Sequence, residues 1–188
     1  MQPQTTTTSD PEPAPNPRAN DSARPPGFVS AASQRPPLAH VARSFAGGLL
    51  AIAILGLLER ELASPLILGS FGATCVLVFG FPASPFSQPR NVVLGHVFSS
   101  ATGVLFHFFF GVTWWSMALA LAAAIAIMQL TRTVHPPAGS NPLIVMLSQA
   151  SWPFIVRPTL LGSIIVCATA IVFHRVTTSR STYPKYWL

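Results

Sequence analysis

The sequence predicts an all-α membrane protein of about six helical segments, arranged as two three-segment repeats inserted in opposite orientations. Half of the 188 residues are apolar and only 9% are charged, against about 25% in a typical soluble domain. All five carboxylates precede residue 62, so the last 127 residues contain no acid. Residues 72–104 reappear 67 positions later as 139–171, with nine identities in 33 ungapped positions. Together these features indicate a bilayer protein with an internal duplication.

The apolar runs after His40 are interrupted by Pro, Gly and Arg, which divides the chain into six segments. Four are long enough to cross a bilayer, whereas the second and fifth fall short of the roughly 20 residues that a crossing needs. Short, Gly/Pro-interrupted segments at matching places in two halves are typical of a substrate site built from broken helices. Two alternatives remain open: both short segments are tilted or interfacial helices, or four full spans accompany two re-entrant segments. The predicted bounds are 42–58, 65–81, 91–112, 114–130, 138–150 and 155–174.

Charge distribution predicts the orientation of the chain. With six crossings, nine of the eleven Lys and Arg residues fall on the side of the two termini, and only Arg60 and Arg157 fall on the other. Cytoplasmic segments carry such an excess of cations, so we expect both termini in the cytoplasm, most simply at a bacterial inner (plasma) membrane. The four-span alternative gives the same bias. The aromatic residues expected at the membrane interfaces are Trp114, Trp115, Trp152, Tyr183, Tyr186 and Trp187.

The domain organisation follows from composition. Residues 1–39 carry nine of the 19 prolines and are expected to form a disordered tail without a secretory signal. Residues 40–178 form the transmembrane domain, with repeat one at about 40–112 and repeat two at about 113–175, and residues 179–188 form a basic C-terminal tail. Cys75 and Cys167 lie in apolar runs without metal-like spacing, so we expect two buried, reduced thiols.

One segment carries a family resemblance. The run VHPPAGSNP at 134–142 resembles the signature of the HPP family of integral membrane proteins, and 69–74 and 85–96 look like the family's other two blocks in the same order. The resemblance covers residues 65–175. It implies at least four membrane spans and, through plant and cyanobacterial members, a role in nitrite transport. Pro142 departs from the family pattern, which leaves the start of the following helix open.

The two glycine-containing segments suggest an anion site. A non-helical glycine segment that leads into a helix directs free N–H groups and the positive end of the helix dipole toward a small anion. The alternative is that these residues only cap helices or allow close helix packing. The residues predicted here to bind substrate are Gly72, Ala73, Thr74, Gly139, Ser140 and Asn141.

Arg90 and Arg157 are the charged residues predicted to bind substrate, together with Asn91. Each arginine precedes a long apolar span, where a positive charge opposes the helix dipole, and no acid follows residue 61 to pair with it. Backbone carbonyls, lipid phosphates or a transported anion must neutralise these charges. In inverted repeats the two arginines would lie at opposite mouths of one path.

Histidines are the groups in the last two thirds of the chain that titrate near neutral pH. We predict that His135 contacts substrate and that His135 and His96 act in gating or proton relay, with a loop-fixing hydrogen bond as the alternative for His135. His107 and His174 have no assigned role. The histidine spacing matches no standard metal-ligand pattern, so we predict neither a metal nor another cofactor.

Transport of a small inorganic anion by a transporter or channel is the function that these patterns favour, with nitrite suggested by the resemblance alone. The alternative is a membrane scaffold or subunit that recruits a partner through its basic, proline-rich tail. Cations scattered singly among apolar spans do not form a nucleic-acid surface. We do not predict an enzyme, since no carboxylate base follows Glu61. The expected partners are the lipid bilayer, the anion and further copies of the chain in a homo-oligomer.

Overall fold

The computed structural model describes residues 35–178 and 183–187, and this part of the chain is helical without a β-strand. A π-helical turn, Val76–Gly80, extends the second helix, and another, Ile155–Leu160, precedes the sixth. The predicted order of long, short and long segments, repeated once, is confirmed. Residues 1–34, 179–182 and 188, which hold most of the predicted N-terminal tail and half of the predicted C-terminal tail, lie outside the described residues. The helices are α1 Leu38–Leu62, α2 Gly69–Cys75, α3 Pro89–Phe110, α4 Trp114–Leu130, α5 Asn141–Leu147 and α6 Leu161–Thr177.

Helix lengths separate the spans from the short segments. In the described part of the chain, α1, α3 and the combined helix Ile155–Thr177 are long and apolar enough to cross a membrane. Helix α4 has 17 residues without a charged side chain, about 26 Å at 1.5 Å per residue. Helix α2 and its π turn end at Gly80, and α5 has seven residues. The second and fifth segments are therefore short, as predicted, and whether they cross the bilayer stays a prediction.

Local sequence explains where the helices near the site begin. Pro89 opens α3 in the first turn, where its missing N–H costs no hydrogen bond. A three-residue connection leads into α4, which starts with a reciprocal cap between Thr113 and Ser116. A 3₁₀ turn, Pro136–Ser140, precedes α5, and Pro142 lies in the first turn of that helix. The departure at Pro142 is thus compatible with a helix that starts at Asn141.

The apolar core lies between α1, α2, α3 and α6. Phe71 of α2 is fully buried there, and both cysteines are buried free thiols, as predicted. Outside this core many large apolar side chains of α1 and α4 are exposed, as expected for helices that face lipid. The buried core residues are Ala51, Leu55, Leu66, Leu68, Phe71, Cys75, Val78, Phe79, Val92, Val166, Cys167, Ala170 and Tyr183.

Two glycine contacts relate the repeats to each other. A Cβ atom on Gly95 would lie 3.0 Å from the carbonyl oxygen of Thr133, and one on Gly162 would lie 2.9 Å from the carbonyl oxygen of Leu66. Gly162 follows Gly95, and Thr133 follows Leu66, by the repeat offset of 67 residues. The third helix of each repeat therefore packs against the equivalent loop of the other repeat. Such reciprocal contacts are expected around a pseudo-two-fold axis.

A contact between α3 and the π turn that leads into α6 indicates the direction of that axis. The hydroxyl groups of Ser100 and Thr159 lie 2.9 Å apart. If the two helices ran parallel around an axis along the membrane normal, Ser100 would lie level with its equivalent Cys167. Thr159 is eight residues earlier, about 12 Å along a helix. The observed contact instead fits helices that run in opposite directions, as inverted repeats require.

The C-terminal segment 183–187 folds back onto the turn before α3. The Tyr183 hydroxyl donates to the Ser87 carbonyl (2.9 Å), and the Lys185 backbone N–H donates to Gln88 Oε1 (2.8 Å). Tyr183 is buried with its ring 5.2 Å from that of His174. The Tyr183 ring therefore packs against the protein, and its position at a membrane interface stays a prediction. Trp187, like Trp114 and Trp152, is exposed.

Candidate functional site

Thr74, His96 and His135 meet in the interior of the helix bundle. Thr74 Oγ1 lies 2.9 Å from Nε2 of His96 and 2.9 Å from Nε2 of His135. The two imidazole rings are 5.0 Å apart, and all three side chains are fully buried. Thr74 comes from α2, His96 from α3 and His135 from the connection between α4 and α5. Residues far apart in sequence thus converge on one hydroxyl group.

The hydrogen-bond partners give the tautomers of the neutral imidazoles. His135 Nδ1 lies 2.7 Å from the carbonyl oxygen of Phe86, which can only accept, so Nδ1 carries the hydrogen. Asn141 Nδ2 donates to His96 Nδ1 (3.0 Å) and to the His96 carbonyl oxygen (3.3 Å), and the second contact assigns the amide orientation. His96 therefore donates from Nε2 to Thr74, and Thr74 donates to His135 Nε2. All these bonds point the same way, from Asn141 to Phe86.

The hydrogen bonds continue beyond Asn141. Its Nδ2 also donates to Ser100 Oγ (2.9 Å), and Ser100 Oγ lies 2.9 Å from Thr159 Oγ1. We call this set the buried polar chain. Its side chains come from both repeats and are Thr159, Ser100, Asn141, His96, Thr74 and His135, ending on the carbonyl group of Phe86.

The buried polar chain lies partway along α3, a helix long and apolar enough to cross a membrane. His96 and Ser100 are the eighth and twelfth residues of the 22-residue helix α3, about 10 and 16 Å from its start in a helix of about 33 Å. Polar groups are costly in such a position unless they serve one another or a solute. The buried polar chain therefore marks the place in the helix bundle where we expect a solute to bind.

Three buried polar atoms on or beside the buried polar chain have no hydrogen-bond partner among the described residues. These atoms are Ser70 Oγ, Asn91 Oδ1 and Asn141 Oδ1. The Ser70 carbonyl oxygen lies 3.1 Å from Thr74 Oγ1, and Asn91 Nδ2 donates to the carbonyl oxygen of Val134, next to His135 (2.9 Å). A buried polar atom without a partner costs about 1–3 kcal/mol. Each of these atoms would gain free energy from a hydrogen-bond partner.

The structure brings together several residues predicted from sequence, namely Thr74, Asn91, His96, His135 and Asn141. Of the two alternatives for Thr74 and Asn141, helix capping does not apply. Neither α2 nor α5 has a side-chain cap, since their N-cap residues are Leu68 and Ser140. Both side chains instead bond to histidine.

Four predicted substrate-binding residues lie away from the buried polar chain. Gly72 and Ala73 are exposed, and Gly72 lies inside α2, so our expectation of a non-helical segment there is wrong. The helix already starts at Gly69 because the Leu68 carbonyl accepts from Phe71 N–H. Gly139 and Ser140 line an apolar groove of about 460 Å³ beside α4. Their role in binding stays a prediction.

The two arginines differ in their surroundings. Arg90 is half-buried and donates from Nη2 to the carbonyl oxygen of Thr131 (3.1 Å), so a backbone carbonyl satisfies part of its guanidinium group. Arg157 is exposed and has extended backbone angles (φ −130°, ψ 118°), which interrupt the helix before α6. In sequence Arg90 precedes Asn91, and Arg157 lies two residues before Thr159 of the buried polar chain.

Sequence reasoning missed Ser70, Ser100 and Thr159. A signal for Ser100 was available, because it follows His96 by four residues and so lies on the same face of α3. Thr159 was hidden by the irregular backbone around Arg157, where helical spacing does not apply. The carbonyl group of Phe86 could not have been predicted from side-chain identity.

The histidines outside the buried polar chain are His40, His107 and His174, and two of them bond to backbone carbonyl groups. His174 Nε2 donates to the Val78 carbonyl (2.8 Å) and His40 Nε2 to the Gly80 carbonyl (3.0 Å). Both bonds satisfy carbonyl groups in the π turn that ends the second segment. His107 Nδ1 is buried without a partner among the described residues, in the last turn of α3, seven residues after Ser100. In the described part of the chain no group of three or more His, Cys, Asp or Glu residues is placed to hold a metal ion.

Comparison with known proteins is consistent with this architecture. The model of the HPP transmembrane region matches residues 33–184. Two transmembrane proteins of Dictyostelium discoideum are similar to the chain. One is 36% identical over 149 residues, covering 74% of this chain and 52% of the relative, and the other is 34% identical over 165 residues, covering 81% and 53%. The chain thus spans about half the length of these curated relatives. No solved structure matches it significantly.

Proposed function

The chain belongs to the HPP family of transmembrane proteins, and on that premise we propose that it carries a small inorganic anion across the membrane. Nitrite is the substrate that the resemblance of the HPP signature suggests. We place the protein in a bacterial inner membrane with both termini in the cytoplasm, acting as a transporter or channel rather than as an enzyme. The observation that carries this proposal is the buried polar chain, which joins the two repeats through the middle of the bundle.

The ends of the buried polar chain support a path with two arginine mouths. Arg90 and Asn91 bond to the carbonyl groups of Thr131 and Val134, in the segment that positions His135. At the other end Arg157 lies two residues from Thr159. A path along the buried polar chain would therefore begin near one arginine and end near the other. This arrangement agrees with inverted repeats, in which equivalent residues lie on opposite sides.

The arginines would raise the local concentration of anions at the mouths. A guanidinium group has five N–H donors, and the Thr131 carbonyl accepts from Nη2 of Arg90. No carboxylate follows residue 61, so an anion near Arg90 or Arg157 meets no acidic side chain from the second two thirds of the chain. Clefts lined by one sign of charge attract the opposite ion. Both arginines are thus suited to capture rather than to binding at the centre.

His135 is suited to take up and release a proton. The single hydroxyl hydrogen of Thr74 can point to His135 Nε2 (2.9 Å) or to the Ser70 carbonyl oxygen (3.1 Å). In the first state His135 Nε2 accepts, and in the second it can carry its own hydrogen and donate to Thr74. Rotation of one hydroxyl group therefore links two protonation states of His135. This supports the predicted relay through His135 and His96.

Flux into proteoliposomes tests the proposal. The purified full chain is reconstituted, and uptake of nitrite, nitrate, formate and chloride is measured for the parent and for Arg90→Gln, Arg157→Gln and His135→Ala. We expect nitrite uptake above protein-free vesicles, and a decrease of at least threefold in each arginine variant. Arg60→Gln is the matched control, since Arg60 is exposed in the last turn of α1.

Two results would contradict the proposal. If uptake of all four anions equals that of protein-free vesicles, the protein does not transport these anions. Unchanged uptake in both Arg90→Gln and Arg157→Gln would contradict a role for these arginines in capturing the anion. Size-exclusion profiles of each variant show whether a loss of flux reflects a loss of folded protein.

A further inference from the structure

The atoms without partners beside the buried polar chain are hydrogen-bond acceptors or a hydroxyl group. Asn91 Oδ1 and Asn141 Oδ1 can only accept, while Ser70 Oγ can accept or donate. All three residues are buried. A solute that binds here is therefore matched best when it brings a donor of its own.

The N–H donors of the same region are directed at protein acceptors. Asn141 Nδ2 donates to His96 and to Ser100. In the neutral tautomers His96 donates to Thr74, and His135 donates to the Phe86 carbonyl group. A bare anion needs several donors to replace its water shell. Apart from the single hydroxyl hydrogen of Ser70, it could obtain such donors from these side chains only by breaking the protein's own hydrogen bonds.

The charge of the region leads to the same preference. His96 and His135 are the titratable side chains of the buried polar chain. Arg90 donates to the carbonyl group of Thr131, in the segment before His135. Burial without a carboxylate partner favours the neutral imidazole. An ion moved into such surroundings without a fixed counter-charge loses most of its hydration energy, whereas a neutral acid of the same size loses little.

We infer that the solute crosses the buried polar chain as the neutral weak acid HX, and that the arginine mouths collect it as the anion X⁻. At one mouth X⁻ accepts a proton from H₃O⁺ and leaves water, and at the other HX returns the proton to water. One proton and one X⁻ thus move together, and no net charge crosses. This inference rests on the proposed function and specifies its substrate class as the conjugate base of a weak acid.

Paired anions in vesicles with a clamped membrane potential test the inference. Proteoliposomes that contain a pH-sensitive dye receive nitrite, formate or nitrate, and valinomycin with K⁺ sets the potential. Nitrite and formate should acidify the lumen beyond the change in protein-free vesicles, which corrects for diffusion of the acids through lipid. Their protein-dependent rate should rise about tenfold for each unit of decrease in external pH, as the HX fraction does. Nitrate, whose acid is fully ionised, should not cross.

The response to potential separates the two forms of the solute. A potential of 100 mV shifts the equilibrium distribution of a monovalent anion about 50-fold but leaves that of a neutral acid unchanged. Nitrite uptake that follows the potential, or nitrate uptake at a similar rate, would overturn the weak-acid inference and leave anion transport intact. No uptake of any anion above protein-free vesicles would overturn the proposed function and this inference with it.

Ser70→Ala tests the contact with the solute directly. Because Ser70 Oγ has no partner in the part of the protein that the structure describes, the substitution breaks no hydrogen bond there, and the melting temperature should stay within about 2 °C. If the hydroxyl group binds HX, the KM for formate should rise about three- to tenfold. An unchanged KM with an unchanged melting temperature would remove Ser70 from the solute site.

Discussion

Thr74 has the most demanding role of any single residue in the buried polar chain. Its hydroxyl group lies within 3.1 Å of two imidazole nitrogens and one carbonyl oxygen. One hydroxyl hydrogen cannot serve both His135 and the Ser70 carbonyl group at once. The residue therefore couples the orientation of a single hydrogen to the protonation state of His135.

Replacing Thr74 distinguishes the hydroxyl group from the shape of the side chain. Thr74→Val keeps the volume but removes the partner of both histidines, so we expect a loss of about 1–3 kcal/mol in unfolding free energy. Thr74→Ser keeps the hydroxyl group and should retain most of the stability and the flux. Thermal unfolding in detergent and nitrite uptake measure the two effects. Equal stability and flux in the Val and Ser variants would contradict a role for the hydroxyl group.

At this scale sequence predicts only part of the site. His135 and Asn141 lie in the HPP signature, and Thr74 occupies the position equivalent to Asn141 in the other repeat. Ser100 and Thr159 belong to the buried polar chain because α3 and the π turn before α6 meet where these two hydroxyl groups lie. Serine and threonine in membrane helices usually bond to their own helix backbone, so their identity alone does not reveal a partner.

Among the helices, close contact between repeats depends on Gly95 and Gly162. A Cβ atom on Gly95 would also lie 2.8 Å from the Cβ of His135, and one on Gly162 would lie 2.8 Å from Cζ of Phe71. Helices approach each other closely in membranes where their contact surface is small. These glycines therefore set the distance from α3 and α6 to the loops that carry His135 and Leu66.

Alanine at either glycine should destabilise the protein. Gly95→Ala and Gly162→Ala force backbone or core side chains apart, at an expected cost of about 1–3 kcal/mol each. Gly69→Ala is the matched control, because a Cβ atom there meets nothing within 4 Å. Thermal unfolding of the three variants in the same detergent gives the comparison. Melting temperatures of Gly95→Ala and Gly162→Ala equal to that of Gly69→Ala would contradict the close packing.

Packing of the C-terminal segment against the helices should make the stability of the protein depend on pH. Burial raises the pKa of Tyr183, with a smaller contribution from nearby Cys167, so its hydroxyl group stays a donor to Ser87 in the folded protein. The unfolded chain loses this proton near pH 10 and the folded chain does not, so stability should fall as pH rises above about 10. Tyr183→Phe should lose about 1 kcal/mol at neutral pH and show a smaller decline. Unfolding measured between pH 7 and 11 tests this, and identical pH curves for parent and variant would contradict it.

On the scale of the whole molecule, inverted repeats predict the side on which equivalent residues lie. Ala83 and Ala150 are separated by the repeat offset and lie in equivalent loops. Ala83→Cys and Ala150→Cys should therefore react with a membrane-impermeant maleimide from opposite sides of the vesicle. Cys75 and Cys167 are buried and should add little background. Labelling of both variants from the same side would contradict the inversion.

The overall architecture was more predictable than the site. An acid-free stretch of 127 residues, apolar runs and a repeat at one fixed offset are properties of sequence alone, and they determine helix number and order through the bilayer. The start of α2 at Gly69 and the irregular backbone at Arg157 depend on contacts with other segments. Positions that tertiary packing decides are therefore where the sequence-based prediction failed.

The exchange of contacts through Gly95 and Gly162 bears on how such a protein could arise. Because each third helix packs on a loop of the other repeat, one repeat alone leaves its packing surface without a partner. The ancestral unit would then have been a three-segment protein that inserted in both orientations and dimerised with itself. Residues 1–112 and 113–188, expressed as separate chains in one cell, should still assemble into the present fold.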